Sequence, residues 1–116
     1  MAVLALALPI LAGKQEAWRR FCQELQESRY SEYEAERRRL GISREVTWFA
    51  RTAQGEMALV YMEVAQPERV FAALAASDLP FDEWFRQQLL EIHGFDVASG
   101  PRDLACELIY SWQAAP

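Results

Sequence analysis

Asparagine is missing from this 116-residue chain, histidine and lysine occur once each, as His93 and Lys14, and cysteine occurs only at Cys22 and Cys106. A lone histidine and two separated cysteines, with no Cys-x-x-Cys pair, exclude the usual structural zinc sets, and no metal site is expected. No Ser-His-Asp or Cys-His assignment is supported either, because His93 stands alone and neither cysteine has an activating neighbour with a geometric reason behind it. The five glycines are scattered, so there is no phosphate-cradling loop. Basic side chains are outnumbered 12 to 17, giving a net charge of −5 and a pI near 4.9. Nucleic acid and anionic membrane surfaces both call for a basic face, so neither is an expected partner. The opening run MAVLALALPILAGK is apolar, but it is too short to span a bilayer and has no preceding basic segment, so it reads as neither an anchor nor a leader.

What is present is a globular composition, 52% hydrophobic and 25% charged, of one-domain length. Both cysteines lie among apolar neighbours (WRRFCQEL and LACELIY) and read as free, small buried hydrophobes, which fits a reducing cytoplasm. Leu4, Leu6 and Leu8 alternate with Ala5 and Ala7, the pattern of a strand over Val3–Leu11 with apolar side chains on both faces. Gly13 ends it. A helix over Gln15–Glu27 carries Trp18, Phe21, Cys22 and Leu25 on one stripe. Continuing that helix to Leu40 would force Arg29, Glu32 and Glu36 into the stripe, so a break is expected near Ser28–Ser31; the alternative is a continuous helix whose far half leaves the core. Ser31 and Glu34 have capping-box spacing for a second piece, which Gly41 closes. On that piece Tyr30, Tyr33, Arg37 and Leu40 share a face, and Arg38 and Arg39 read as solvated.

Strands are expected at Glu45–Thr52 and Glu56–Val64, joined by a hairpin at Ala53-Gln54-Gly55. The preferred register sets Trp48 opposite Tyr61 and Ala50 opposite Leu59; a three-residue loop would shift it by one. A helix over Glu68–Ala76 turns in Val70, Phe71 and Leu74. Ser77 or Asp78, as an N-cap followed by Pro80, restarts a helix over Phe81–His93 that Gly94 ends. Leu104–Trp112 reads as a last strand, with Leu104, Cys106, Leu108, Tyr110 and Trp112 on one face.

The order β-α-β-β-α-β, with right-handed crossovers, predicts a single α+β domain over residues 1–116, with 28–41 as a helical insert. Its form is a ferredoxin-like βαββαβ protomer whose four-stranded antiparallel sheet carries helices on one face. The other sheet face is apolar as well and needs a cover, and the simplest cover is a second copy, in a two-fold homodimer.

Gly-Lys opening a long amphipathic helix (GKQEAWRRF), a glycine-containing hairpin and a broken second helix with an aromatic restart (LAASDLPFDEWF) together resemble the dimeric α+β barrel superfamily. That group includes antibiotic-biosynthesis monooxygenases and haem-degrading oxygenases. The resemblance implies a pocket between sheet and helices in each protomer, a small aromatic or apolar ligand, and either monooxygenase-like chemistry or non-catalytic binding or stress-response roles. The Asn, Trp, His trio of the haem-degrading branch cannot be carried over, since the chain has no asparagine. Haem is therefore disfavoured, and no cofactor is expected.

The pocket candidates are Trp48, Tyr61, Trp84, Tyr33 and Arg37, with His93 ranked below them. At 100° per residue, Trp84 and His93 fall about 180° apart on one helix, on opposite flanks of its buried arc. The adopted reading of His93, next to Gly94, is that it donates to the last helical carbonyls. A pocket base and a metal or haem ligand are the alternatives.

Overall fold

A computed structural model describes residues 2–99 and 106–116 of the chain. Seven elements follow in order: β1 (Ala2–Pro9), α1 (Gln15–Gln26), α2 (Tyr30–Arg39), β2 (Ile42–Thr52), β3 (Gly55–Val64), α3 (Pro67–Ala76) and α4 (Pro80–His93). Among the described residues the strands form one antiparallel sheet in the order β1-β3-β2. The class is α+β, as expected, with three strands among the described residues where four were expected. Of the anticipated last strand, Leu104 and Ala105 lie outside the described residues. Cys106–Trp112 is neither strand nor helix, and every residue of it is exposed.

Local chemistry accounts for the breaks. The first helical segment stops at Gln26, and Arg29 rather than Ser31 is the N-cap of α2, so the capping box does not form. Gly41 takes φ +74 just past α2, a left-handed turn that side chains rarely tolerate, and its carbonyl accepts from Ala65 N at 2.9 Å. Between α3 and α4 neither Ser77 nor Asp78 is the N-cap; Leu79 is, with Pro80 in the first turn. Ser77 Oγ instead accepts from Leu79 N and donates to Asp82. Arg86 ties this corner down by donating to the carbonyls of Leu74 and Ser77 at 2.6 and 2.8 Å. Gly94, at φ +66, ends α4 as expected, and its N–H reaches the Leu90 carbonyl at 2.9 Å.

The hairpin closes with Thr52 opposite Gly55, leaving Ala53 and Gln54 as a two-residue loop. Trp48 therefore faces Leu59, Val46 faces Tyr61 and Ala50 faces Met57, which corrects the expected register by two residues. A register shift between Ile42 and Arg44 does more. It inserts one residue near Ser43, so Glu45, Thr47 and Phe49 share the sheet face of Met62, Val60 and Ala58.

On that face Leu4, Leu6, Leu8, Ala58, Val60, Met62 and Val64 pack with the helices. The helices contribute Trp18, Phe21 and Leu25 from α1, Val70, Phe71 and Leu74 from α3, and Phe81, Phe85, Leu89 and Ile92 from α4. Burying each large apolar side chain is worth roughly 1.5–3 kcal/mol, so this layer is the main source of stability. The opposite face carries Val3, Ala5 and Ala7 from β1, Met57, Leu59 and Tyr61 from β3, and Val46, Trp48 and Ala50 from β2. No element of the described chain covers it, and Trp48 is 51% exposed. Among the described residues no helix is long and apolar enough to cross a membrane.

Candidate functional site

The inward side of α2 organises the most unusual chemistry in the molecule. Residues 33, 36, 37 and 40 fall on neighbouring helical positions, and in the structure Leu40 and Glu36 are buried while Tyr33 and Arg37 are nearly so. Tyr30, expected on the same face, points outward and is exposed. Arg37 is held between two carboxylates: its Nη2 donates to Glu36 Oε1, and its Nη1 donates to Glu45 Oε1 at 3.3 Å. The guanidinium also lies over the rings of Tyr33 and Phe85, 4.9 and 5.0 Å from their centroids. Tyr33 donates its hydroxyl to the same Glu45 oxygen.

A second cation–anion pair backs the first. Arg39 and Asp82 meet as fork and carboxylate, at 2.9 and 3.2 Å. Glu36 and Asp82 are both fully buried. Burial pushes Glu36 up to about 7, opposed by Arg37 and assisted by Asp82. Burial also works against ionised Asp82, yet hydrogen bonds from Arg39, Glu36 and Ser77 outweigh it and hold that carboxyl well below the usual range. Of the two, Glu36 is the carboxyl that takes up a proton as pH falls through neutrality, while Asp82 stays ionised. Glu36 Oε2 is buried without a hydrogen-bond partner, and the neighbouring Asp82 favours its protonated form. Burial likewise raises Glu45 to about 7.

Behind this network lies a partly open cavity of about 90 Å³ between sheet and helices. Its wall is mostly apolar, with Leu6, Val60, Phe71 and Leu89 among the lining, and its polar members include Tyr33, Arg37, Glu45 and His93. Tyr33 and Glu45 also line an open groove between α2 and β2 and another between α1 and β2. The Tyr33–Glu45 hydrogen bond thus partitions the cavity from two stretches of surface. Burial, reinforced by Glu45, raises the Cys22 thiol on the same wall to about 11, which keeps it protonated and unreactive.

His93 bonds to a different carbonyl from the one expected. Its Nδ1 meets the Pro9 carbonyl at 2.7 Å, across the sheet–helix junction rather than within α4. A carbonyl can only accept, so Nδ1 carries the proton and Nε2 keeps its lone pair in the neutral ring. Burial lowers the pKa, against the Pro9 bond. Among the described residues, no group of three or more His, Cys, Asp or Glu is placed to hold a metal ion.

Of the sequence candidates, Tyr33 and Arg37 meet at the cavity, and His93, ranked last, lines it too. Trp48 and Tyr61 do not, because they stand on the opposite, uncovered sheet face. Trp84 sits at the margin of the core, in tilted ring contact with Phe21 and Phe81, with the Arg29 guanidinium 4.0 Å from its ring centroid. The tryptophan at the cavity is Trp18. Glu36, Glu45 and Asp82 were not among the candidates. For Glu36 the signal was present, since extending the first helical stripe reaches it. For Glu45 it was not, because only the register shift turns that residue inward.

No protein family, curated protein or solved structure gives a match to this chain.

Proposed function

We propose that this chain is a small-molecule-binding protein that acts as a homodimer of ferredoxin-like protomers, with the cavity behind Tyr33 and Glu45 as its ligand site. The observation that carries the reading is the convergence of Arg37, Tyr33, Glu45 and His93 on one mostly apolar pocket. Sites for small ligands combine apolar walls with a few placed polar groups in this way. The ligand is compact and largely apolar, with one hydrogen-bonding group for the polar wall. A cavity of about 150 Å³ accommodates benzene. One of about 90 Å³ takes a smaller molecule as it stands, and an aromatic ring once the Tyr33–Glu45 partition opens. Oxygenase-type chemistry on such a ring is the catalytic form of the proposal, supported by two proton acceptors at the wall: Glu45, poised near neutrality, and His93. Pure binding is the simpler form and needs nothing beyond the cavity. The dimer reading is supported by the uncovered apolar sheet face around Trp48, Leu59 and Tyr61.

The test is an amide NMR titration with benzene, phenol and benzoate. Saturable shifts are expected at Tyr33, Glu45, Thr47 and His93, and none centred on Trp48 and Met57. Shifts confined to the Trp48 face, or none with any of the three ligands, would overturn the ligand site. Light scattering at micromolar concentration tests the dimer separately.

A further inference from the structure

Two unsatisfied apolar surfaces occur in one chain. The first is the uncovered sheet face built around Trp48, Leu59 and Tyr61. The second is the segment 106–116, in which Leu108, Ile109, Tyr110 and Trp112 are 79–82% exposed and bury almost nothing against their own chain. A single exposed leucine needs no explanation, but four large apolar residues within five positions do. Their order is also that of a half-buried strand: Leu108, Tyr110 and Trp112 on one side, Glu107, Ile109 and Ser111 on the other.

The root of the segment is located. Cys106 Sγ accepts from the amide of Ala5 at 3.4 Å and faces its carbonyl at 3.5 Å. Ala5 therefore turns its backbone groups away from β3, toward the free edge of β1, and by strand alternation Val3 and Ala7 turn theirs the same way. The segment thus starts at the rim of the uncovered face. That face is stepped, because the side chains of Ala5 and Ala7 end at Cβ beside the taller Leu59 and Tyr61. The step leaves space along β1 for side chains from outside.

We propose that the 106–116 segment is an exchanged arm: in a two-fold pair, each copy lays Leu108, Tyr110 and Trp112 on the uncovered sheet face of the other. This rests on the homodimer reading and adds the element that makes it. A second copy is the fitting occupant because arm and face are complementary and belong to the same chain, which is what a self-complementary two-fold interface requires. The area suffices. Tyr110 and Trp112 offer roughly 150–250 Å² each. With Leu108, two arms and the two faces they cover reach the range of about 1,200–2,000 Å² in which stable interfaces lie.

The test uses the full chain, a chain ending at residue 105, and the full-length double variant Tyr110→Ser/Trp112→Ser. The full chain is expected to scatter as a dimer at 10 µM, roughly, while both altered chains dissociate at least ~100-fold more readily and keep the helical circular dichroism of the parent. Placement is read by disulfide trapping in a Cys22→Ser/Cys106→Ser background. Chains with Leu108→Cys mixed with chains with Trp48→Cys should form a covalent heterodimer on oxidation. A chain carrying both substitutions that closes its disulfide internally, as a monomer, would overturn the exchange. So would an arm-deleted or Tyr110→Ser/Trp112→Ser chain that stays dimeric, although that result leaves the homodimer itself standing. A full-length chain that is monomeric, or that pairs only with a different protein, defeats both readings.

Discussion

His93 Nδ1 lies 2.7 Å from the Pro9 carbonyl, joining the last turn of α4 to the end of β1 across 84 positions of sequence. The bond fixes which nitrogen carries the proton and leaves the other with its lone pair. His93→Ala removes both the bond and a buried ring, and is expected to lower unfolding stability by about 1–2 kcal/mol in urea titrations. The same relationship bears on haem. A porphyrin is several times larger than a cavity of about 90 Å³, so adding haem should give no Soret shift that depends on His93. A stoichiometric shift abolished by His93→Ala would contradict this.

Asp82 is the fully buried centre of the corner where α2 meets α4, accepting from Arg39 and Ser77 and standing beside Glu36. Removing a buried, hydrogen-bonded charge leaves its partners uncompensated, so Asp82→Ala should cost about 3–5 kcal/mol. Arg39 is partly solvated, and water replaces much of what Arg39→Ala removes; about 1 kcal/mol is expected. Equal losses in chemical denaturation would show that Arg39 is held more rigidly than its exposure implies.

How far the sequence reached follows from where its signals are local. The apolar stripes of α1 and α3 repeat at helical spacing, and Trp18, Phe21, Leu25, Val70, Phe71 and Leu74 are buried as expected, with Cys22 half-buried beside them. The break near Ser28 was legible because Arg29, Glu32 and Glu36 could not all join the core stripe. Glu36 joined it alone, neutralised by a proton and by Arg37, and composition does not announce such compensation. Strand faces were harder. In EVTWFART the apolar set Val46, Trp48, Ala50 suggests the core, yet the register shift near Ser43 sends it outward and brings Glu45 in. A sheet with two apolar faces gives no polar side to reveal the reversal. The polar wall of the cavity was therefore half visible, through Tyr33 and Arg37, and half hidden.

Glu36 and Glu45 make stability depend on pH in an unusual direction. Both carboxyls are raised from 4.5 to about 7 in the fold, mainly by burial. Between those values the folded chain binds more protons than the unfolded one, so stability falls as pH rises toward 7 and levels off above it. Asp82, depressed below 3.8, gives the opposite limb: its contribution is present above that value and lost as pH falls further. His93, lowered from 6.5, also opposes the first trend, because stability is lost as it is forced to protonate. Glu45→Gln isolates one contributor. It should flatten the decline between pH 5 and 7 by on the order of 2–3 kcal/mol, read from urea midpoints at fixed ionic strength. An unchanged slope would place the Glu45 proton elsewhere.

Gly94 closes α4 at φ +66, a conformation in which side chains are strained. A Cβ there would meet Leu11 Cδ1 at 3.6 Å, an ordinary contact, so the backbone alone sets the cost. Gly94→Ala is expected to destabilise by about 1–2 kcal/mol and to leave ligand shifts at Tyr33 and Glu45 unchanged. Loss of those shifts would mean that the end of α4 controls the cavity.

Arg37 gives a prediction in which pH and mutation must cooperate. Its charge serves Glu36 on one side and Glu45 on the other, and its Nε has no partner of its own. Replacement by methionine keeps the length and the stacking against Tyr33 and Phe85 while deleting the charge. At pH 8 both carboxyls of the parent are ionised, and the variant would bury two negative charges with no counterion between them; a loss of about 3–5 kcal/mol is expected. At pH 5 both carboxyls carry protons, the counterion is no longer needed, and the loss should shrink to about 1 kcal/mol for the missing hydrogen bonds. Arg38→Ala, on the exposed side of the same turn and paired with Glu34, should change stability by less than about 0.5 kcal/mol at either pH. Denaturation midpoints for the three chains at the two pH values check this. If Arg37→Met is equally costly at pH 5 and pH 8, the guanidinium contributes by packing, and the carboxyls do not depend on it for their charge.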